Sequence, residues 1–215
     1  MKIEIWSDIA CPFCYIGKRH LEQAMQAYEG LINFEIEWKS YQLQPDLKVE
    51  SPKGLDAYLA EIKGWSIEQA QNMNHQVTQM ASQCGLDYQL DKAIVANTFK
   101  AHQLIQYAKT LGKGDLAEEH LFKAYFMQGI DLNQIDQLIQ IGLNIGLDQN
   151  ELRSVLEHDA FSDAVKKDQF EAQQLQVRGV PFFLFDEQYA ISGAQPVDQF
   201  VSVIKQIAEI SIKTQ

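Results

Sequence analysis

No apolar run in the chain approaches the roughly 20 residues of a membrane-spanning helix, so no membrane partner is expected. Basic charge is scarce. Lys and Arg number 18 against 29 Asp and Glu, a net charge of −11, which argues against nucleic acid because phosphate binding needs a basic footprint. Neither Gly-x-Gly-x-x-Gly nor Gly-x-x-x-x-Gly-Lys-Ser/Thr occurs, so no organic cofactor is expected. The first residues lack the basic and apolar segments of a secretion signal, and the expected compartment is the cytoplasm. There is no internal repeat and no low-complexity tract. Cysteine is rare too, with three in 215 residues.

Two of those three, Cys11 and Cys14, form Cys11-Pro12-Phe13-Cys14. A short alternating strand, residues 2–7, hands over there to a helical pattern, residues 12–29. Cysteines three apart in a first helical turn are close enough to form a disulfide without backbone movement. The first lies where unsatisfied N–H groups and the helix dipole favour a thiolate. Such a pair reads as a reversible redox centre. The competing readings are half of a zinc site and a structural staple. Zinc needs a second ligand pair, but Cys84 stands alone and the five histidines are scattered, so no metal is expected. A persisting staple is improbable in the cytoplasm.

Pro12 suits the first helical position, where its missing N–H costs nothing. Residues 33–39 alternate as a second strand, and a strand–helix–strand unit this short implies parallel pairing with a right-handed crossover. Ser51-Pro52 reads as a helix start. From there to 176 nearly everything reads as helix, in segments 53–63, 66–84, 91–111, 114–127, 131–145, 148–157 and 160–176. Ser66 (with Gln69 in a capping box) and Asp91 read as N-terminal caps, and Gly85, Gly112 and Gly146 as stops. The run Phe182–Phe185 reads as a buried strand and residues 189–192 as its hairpin partner, before a last helix near Pro196. The chain is large enough for a full core. The expected fold class is α/β: a thioredoxin fold from residues 1–45 and 177–215, interrupted by an all-helical insertion over 46–176.

The segment Trp6-Ser7-Asp8-Ile9-Ala10-Cys11-Pro12-Phe13-Cys14-Tyr15-Ile16-Gly17-Lys18 resembles the FrnE-like branch of the DsbA family. So do Asn97-Thr98 with Ala101-His102, Ala124-Tyr125-Phe126, and Gly179-Val180-Pro181-Phe182-Phe183 followed by Ser192-Gly193-Ala194-Gln195. The resemblance runs in order over nearly the whole chain and includes the helical insertion. Phe13 is a departure, since relatives often carry Trp there. The resemblance implies a thiol–disulfide oxidoreductase with a cis Val180–Pro181 bond facing the cysteines. It further implies that Pro12, Phe13, Val180, Asn97 and His102 meet the substrate.

Cys11 is expected to attack, as the more exposed N-cap whose sulfur can accept N–H bonds, and Cys14 to resolve the mixed disulfide. Glu4, on a central strand, is expected either to take the proton of Cys14 from a buried position or to lie solvated at an edge. Asp8 suits a capping role. Met73 and Met80, seven apart, read as core packing, with a client-binding surface as the alternative, and Cys84 as a small core hydrophobe. Thiol or disulfide substrates follow, with glutathione as a possible co-substrate and no other cofactor. Two competing functions stay open. One is a glutathione-dependent enzyme like 2-hydroxychromene-2-carboxylate isomerase or kappa-class glutathione transferase, relatives that place serine where Cys11 stands. The other is a client-binding module in which the cysteines are incidental. Sequence alone leaves the oligomeric state open.

Overall fold

The computed structural model describes residues 1–49 and 52–213. Ser51 lies outside them. Strand β1 (Lys2–Ser7) leads into helix α1 (Pro12–Gln26) and returns as β2 (Glu35–Ser40). A helical block follows: α2 (Leu55–Lys63), α3 (Ile67–Gln83), α4 (Phe99–Thr110), α5 (Gly114–Phe126), α6 (Ile135–Asn144), α7 (Gln149–Glu157) and α8 (Ser162–Gln174). The chain closes with β3 (Phe182–Phe185), β4 (Tyr189–Ser192) and α9 (Val197–Lys213). Both ends of the chain therefore build one sheet, in the order β2-β1-β3-β4. β1 and β2 are parallel, while β3 runs antiparallel to β1 and β4. The α/β class and the thioredoxin-type arrangement agree with the sequence reading.

Strand parity decides what faces what. Ile3, Ile5 and Ser7 share a face with Trp38 of β2 and with Phe183 and Phe185 of β3. Helix α9 covers this face through Phe200, whose ring meets Phe183 edge-on at 4.9 Å. Glu4 and Trp6 point the other way, toward α8, where the Trp6 indole N–H donates to the Asp168 carbonyl at 2.9 Å. The helical block is locked to the sheet by aromatic packing. Fully buried Phe122 of α5 stacks on Tyr15 of α1 at 4.8 Å and meets Trp38 of β2 edge-on at 6.4 Å. Truncating an aromatic at such a junction leaves a cavity. Phe122→Ala is therefore expected to cost about 3–5 kcal/mol in urea denaturation, and a loss below about 1 kcal/mol would contradict this packing role.

The local signals behave as read where no other element competes. Ser66 caps α3 in a reciprocal capping box with Gln69. Gly85, Gly112 and Gly146 adopt the left-handed conformation that ends their helices. The expected 91–111 helix is shorter. Asp91 falls in an isolated 3₁₀ turn, Leu90–Lys92, and α4 starts only at Phe99. The intervening chain is held extended, with Leu55 N–H donating to the Ala93 carbonyl and Val95 N–H to the Lys53 carbonyl. The expectation for the methionines is also corrected. Met73 and Met80 are exposed, because α3 buries the face carrying Ala70, Asn74, Val77 and Ala81. Cys84 is a buried thiol that donates to the Ala81 carbonyl at 3.2 Å.

Candidate active site

The β1–α1 junction is a tight turn built by Asp8. Its carbonyl accepts the Cys11 N–H at 2.9 Å. Its buried carboxylate accepts N–H bonds from Ala10 at 3.3 Å and from Leu43 at 2.7 Å, tying the turn to the segment after β2. Cys11 is the N-cap of α1 in extended conformation, and Pro12 opens the helix. The Pro12 carbonyl accepts the Tyr88 hydroxyl at 2.7 Å, which anchors the motif to the helical block.

Cys11 is 4% exposed and Cys14 1%, so both sulfurs are shielded and the first is the more accessible. The expectation that the Cys11 sulfur caps the helix is corrected: it makes no side-chain capping bond. Its thiol is instead 3.4 Å from the Val180 carbonyl, to which it donates. The Val180–Pro181 bond is cis, and two segments far apart in sequence meet at the Cys11 sulfur. Gly17 permits this approach. A Cβ there would stand 3.0 Å from both the Pro181 ring and the Phe183 ring. Burial, together with the adjacent Cys11 sulfur, pushes the Cys14 thiol well above its ordinary range, while the Asp8 backbone and the Ser7 side chain pull in the opposite direction.

An apolar cleft of about 460 Å³ opens beside Cys11, between the motif and the α2–α3 pair. Cys11, Phe13, Leu59, Trp65, Met73 and Val77 are among its walls. Phe13 stands at its lip, 37% exposed. Among the described residues, Asp8 and Lys63 are the only charged ones lining it.

The remaining predicted site residues lie elsewhere. Glu4 is buried, so the solvated alternative is excluded, but parity turns it away from the cysteines. Its carboxylate pairs with Lys39 at 3.3 Å and Lys2 at 3.4 Å. Asn97 precedes α4 and staples loops together. Its side chain donates to the Leu47 and Pro45 carbonyls and accepts from Gln42 and the Phe99 N–H. It does not line the cleft. His102 is on α4 as expected, yet fully buried behind the motif, with Nε2 3.5 Å from Asp8 Oδ1 and no hydrogen bond. Asn97 instead borders a separate pocket with Gln42, Pro45 and Phe99.

Sequence reasoning missed Ser7 and Glu118. Ser7, last in β1, donates its hydroxyl to Glu118 Oε1 at 2.7 Å, and its side chain favours the thiolate form of Cys14. Glu118 is 1% exposed, and burial pushes its carboxyl up to about 7. Its sequence signal is one of spacing. Positions 117, 118, 121, 122 and 125 form the inward stripe of α5, so Glu118 is a carboxylate on an otherwise apolar face.

Comparison with known proteins places the fold in a family. Residues 2–205 match the family described as DSBA-like thioredoxin domain. A crystal structure of a probable DsbA oxidoreductase from Streptomyces coelicolor superposes with a TM-score of 0.91 at 34% identity, covering 96% of this chain and 89% of that one. The uncharacterised protein YwbO of Bacillus subtilis is 26% identical over 204 residues, 94% of each chain. At 15% identity and a TM-score of 0.69, the cytosolic disulfide reductase DsbM from Pseudomonas aeruginosa shares the fold over 98% of this chain and 100% of its own.

Proposed function

The chain belongs to the DSBA-like thioredoxin domain family, and from that premise we propose that it is a dithiol–disulfide oxidoreductase of the FrnE-like branch, working through Cys11 and Cys14. The observation that carries this reading is the Cys11 sulfur, placed 3.4 Å from the Val180 carbonyl at the mouth of an apolar cleft, with Cys14 one turn deeper. In the reductive direction the Cys11 thiolate attacks one sulfur of a substrate disulfide. A mixed disulfide forms and the first substrate sulfur leaves as a thiolate. Cys14 then attacks Cys11 and releases the second substrate sulfur, leaving the Cys11–Cys14 disulfide. The same steps reversed oxidise a dithiol.

The proposed substrates are protein or small-molecule thiols and disulfides whose apolar flank fills the cleft, with glutathione as co-substrate. DsbM, of the same fold, is also known in a structure with GSH. A cytoplasmic setting belongs to the same proposal. Among the described residues no helix is long and apolar enough to cross a membrane.

Equilibration in glutathione buffers of graded redox poise tests the reading. The protein is expected to move between a state with two alkylatable thiols at positions 11 and 14 and a state with neither, along one two-electron curve, and to catalyse insulin reduction. Independent alkylation of the two cysteines at every poise, with no insulin reduction, would exclude the reading.

A further inference from the structure

We propose that Glu118, on α5 of the helical block, accepts the proton of Cys14 through the Ser7 hydroxyl and so sets the rate at which the mixed disulfide resolves. The inference rests on the redox reading of Cys11 and Cys14. Cys14 must lose a proton to attack, yet its sulfur is buried and its thiol is held in the protonated form by that burial. An acceptor inside the protein solves the problem. Glu4, the carboxylate on β1 itself, faces the opposite side of the sheet and is held by lysines.

Ser7 and Glu118 supply the path. The Ser7 side chain interacts with Cys14 in the sense that favours its thiolate, and its hydroxyl donates to Glu118 Oε1 at 2.7 Å. Carboxylates are seldom buried this completely. The charged surroundings of Glu118 are mixed. His102 of α4 and Lys18 of α1 favour its ionised form, and Asp115, one turn earlier on α5, disfavours it. Desolvation outweighs them, leaving a carboxyl that titrates near neutrality, where an acceptor for a thiol proton is most useful.

The step balances as follows. The proton on Cys14 Sγ passes to Ser7 Oγ while the Ser7 hydroxyl proton passes to Glu118 Oε1. The Cys14 thiolate attacks Cys11, the Cys11–Cys14 bond forms, and the bond from Cys11 to the substrate sulfur breaks. Two electrons leave with that sulfur, which departs as a thiolate. The pair is oxidised and the substrate reduced. When a thiol reductant reopens the pair, Glu118 returns its proton to Cys14 by the same route.

A symmetric aryl disulfide that releases a coloured thiolate separates the two halves of the reaction. The first release reports attack by Cys11 and the second reports resolution by Cys14. In stopped-flow traces of the reduced protein, the second phase is expected to accelerate with pH through an inflection near 7. Glu118→Gln and Ser7→Ala are each expected to slow the second phase relative to the first by at least tenfold at pH 7. The Gln variant is expected to lose the inflection as well. Ser7→Ala keeps the test decisive where the Gln variant does not fold. An unchanged ratio of the phases in a folded variant, or equal slowing of both, would overturn the proposal. A wild type with no second release at all would overturn the redox reading and this step with it.

Discussion

Cys11→Ser is expected to abolish disulfide exchange, with a loss of at least about a thousandfold in insulin reduction. A serine hydroxyl is not ionised near neutrality and forms no sulfur–sulfur bond, so the first covalent step has no nucleophile. Cys14 cannot take over. It is the deeper of the pair, and burial holds its thiol in the protonated form. Cys84 lies at the end of α3 with its thiol turned to the Ala81 carbonyl, and its ionisation is disfavoured by burial. Retention of even a tenth of the activity in Cys11→Ser would show that chemistry occurs at another thiol.

Glu118→Gln carries the second large effect, on stability. In the folded protein this carboxyl titrates near 7 rather than at its ordinary 4.5. Between those pH values the unfolded chain releases the proton and the folded one keeps it, so folding loses stability as pH rises. The shift corresponds to roughly 3 kcal/mol once pH exceeds about 7. The Gln variant has no such proton. It is expected to match the wild type at pH 4 and to exceed it by up to about 3 kcal/mol at pH 8, as read from urea midpoints at the two pH values. Identical pH dependence in both proteins would show that Glu118 is ionised normally. The carboxylate of Glu37 acts in the opposite sense. Its bonds to Lys2 and Lys39 hold it near 2, so its contribution is present above about pH 4.5 and is lost as pH falls toward 2.

Local features were the most legible from sequence. Pro12 after a strand, Ser66 with Gln69, and the stops at Gly85, Gly112 and Gly146 each act within one turn of backbone, and each stands where it was read. The sheet followed from the spacing of apolar runs. The start of α4 did not, because residues 93–95 spend their backbone groups on Lys53 and Leu55, partners about 40 positions away in sequence.

The helical placement of Asn97 failed for a related reason. Read as helical, it sits before the helix and uses its side chain to hold loops. Glu4 shows how far parity alone would have gone. Its burial was foreseeable, and so was its orientation, since positions 4 and 7 of one strand must face opposite sides of the sheet. The carboxylate bonded to Ser7 comes from α5, in the run Ala117-Glu118-Glu119-His120. Only the apolar stripe through 121, 122 and 125 marks Glu118 as inward, and its partner Ser7 is 111 residues distant in the chain. Contacts of that range leave no local signature.

The central claim is that Cys11 is the attacking sulfur of a divided site completed by Val180–Pro181. Its most direct test is mass spectrometry of Cys14→Ala after incubation with oxidised glutathione. The account predicts one glutathione in disulfide linkage on the peptide carrying Cys11, stable on standing and removed by a dithiol reductant. No adduct, or an adduct on Cys84 with Cys11 unmodified, would contradict it.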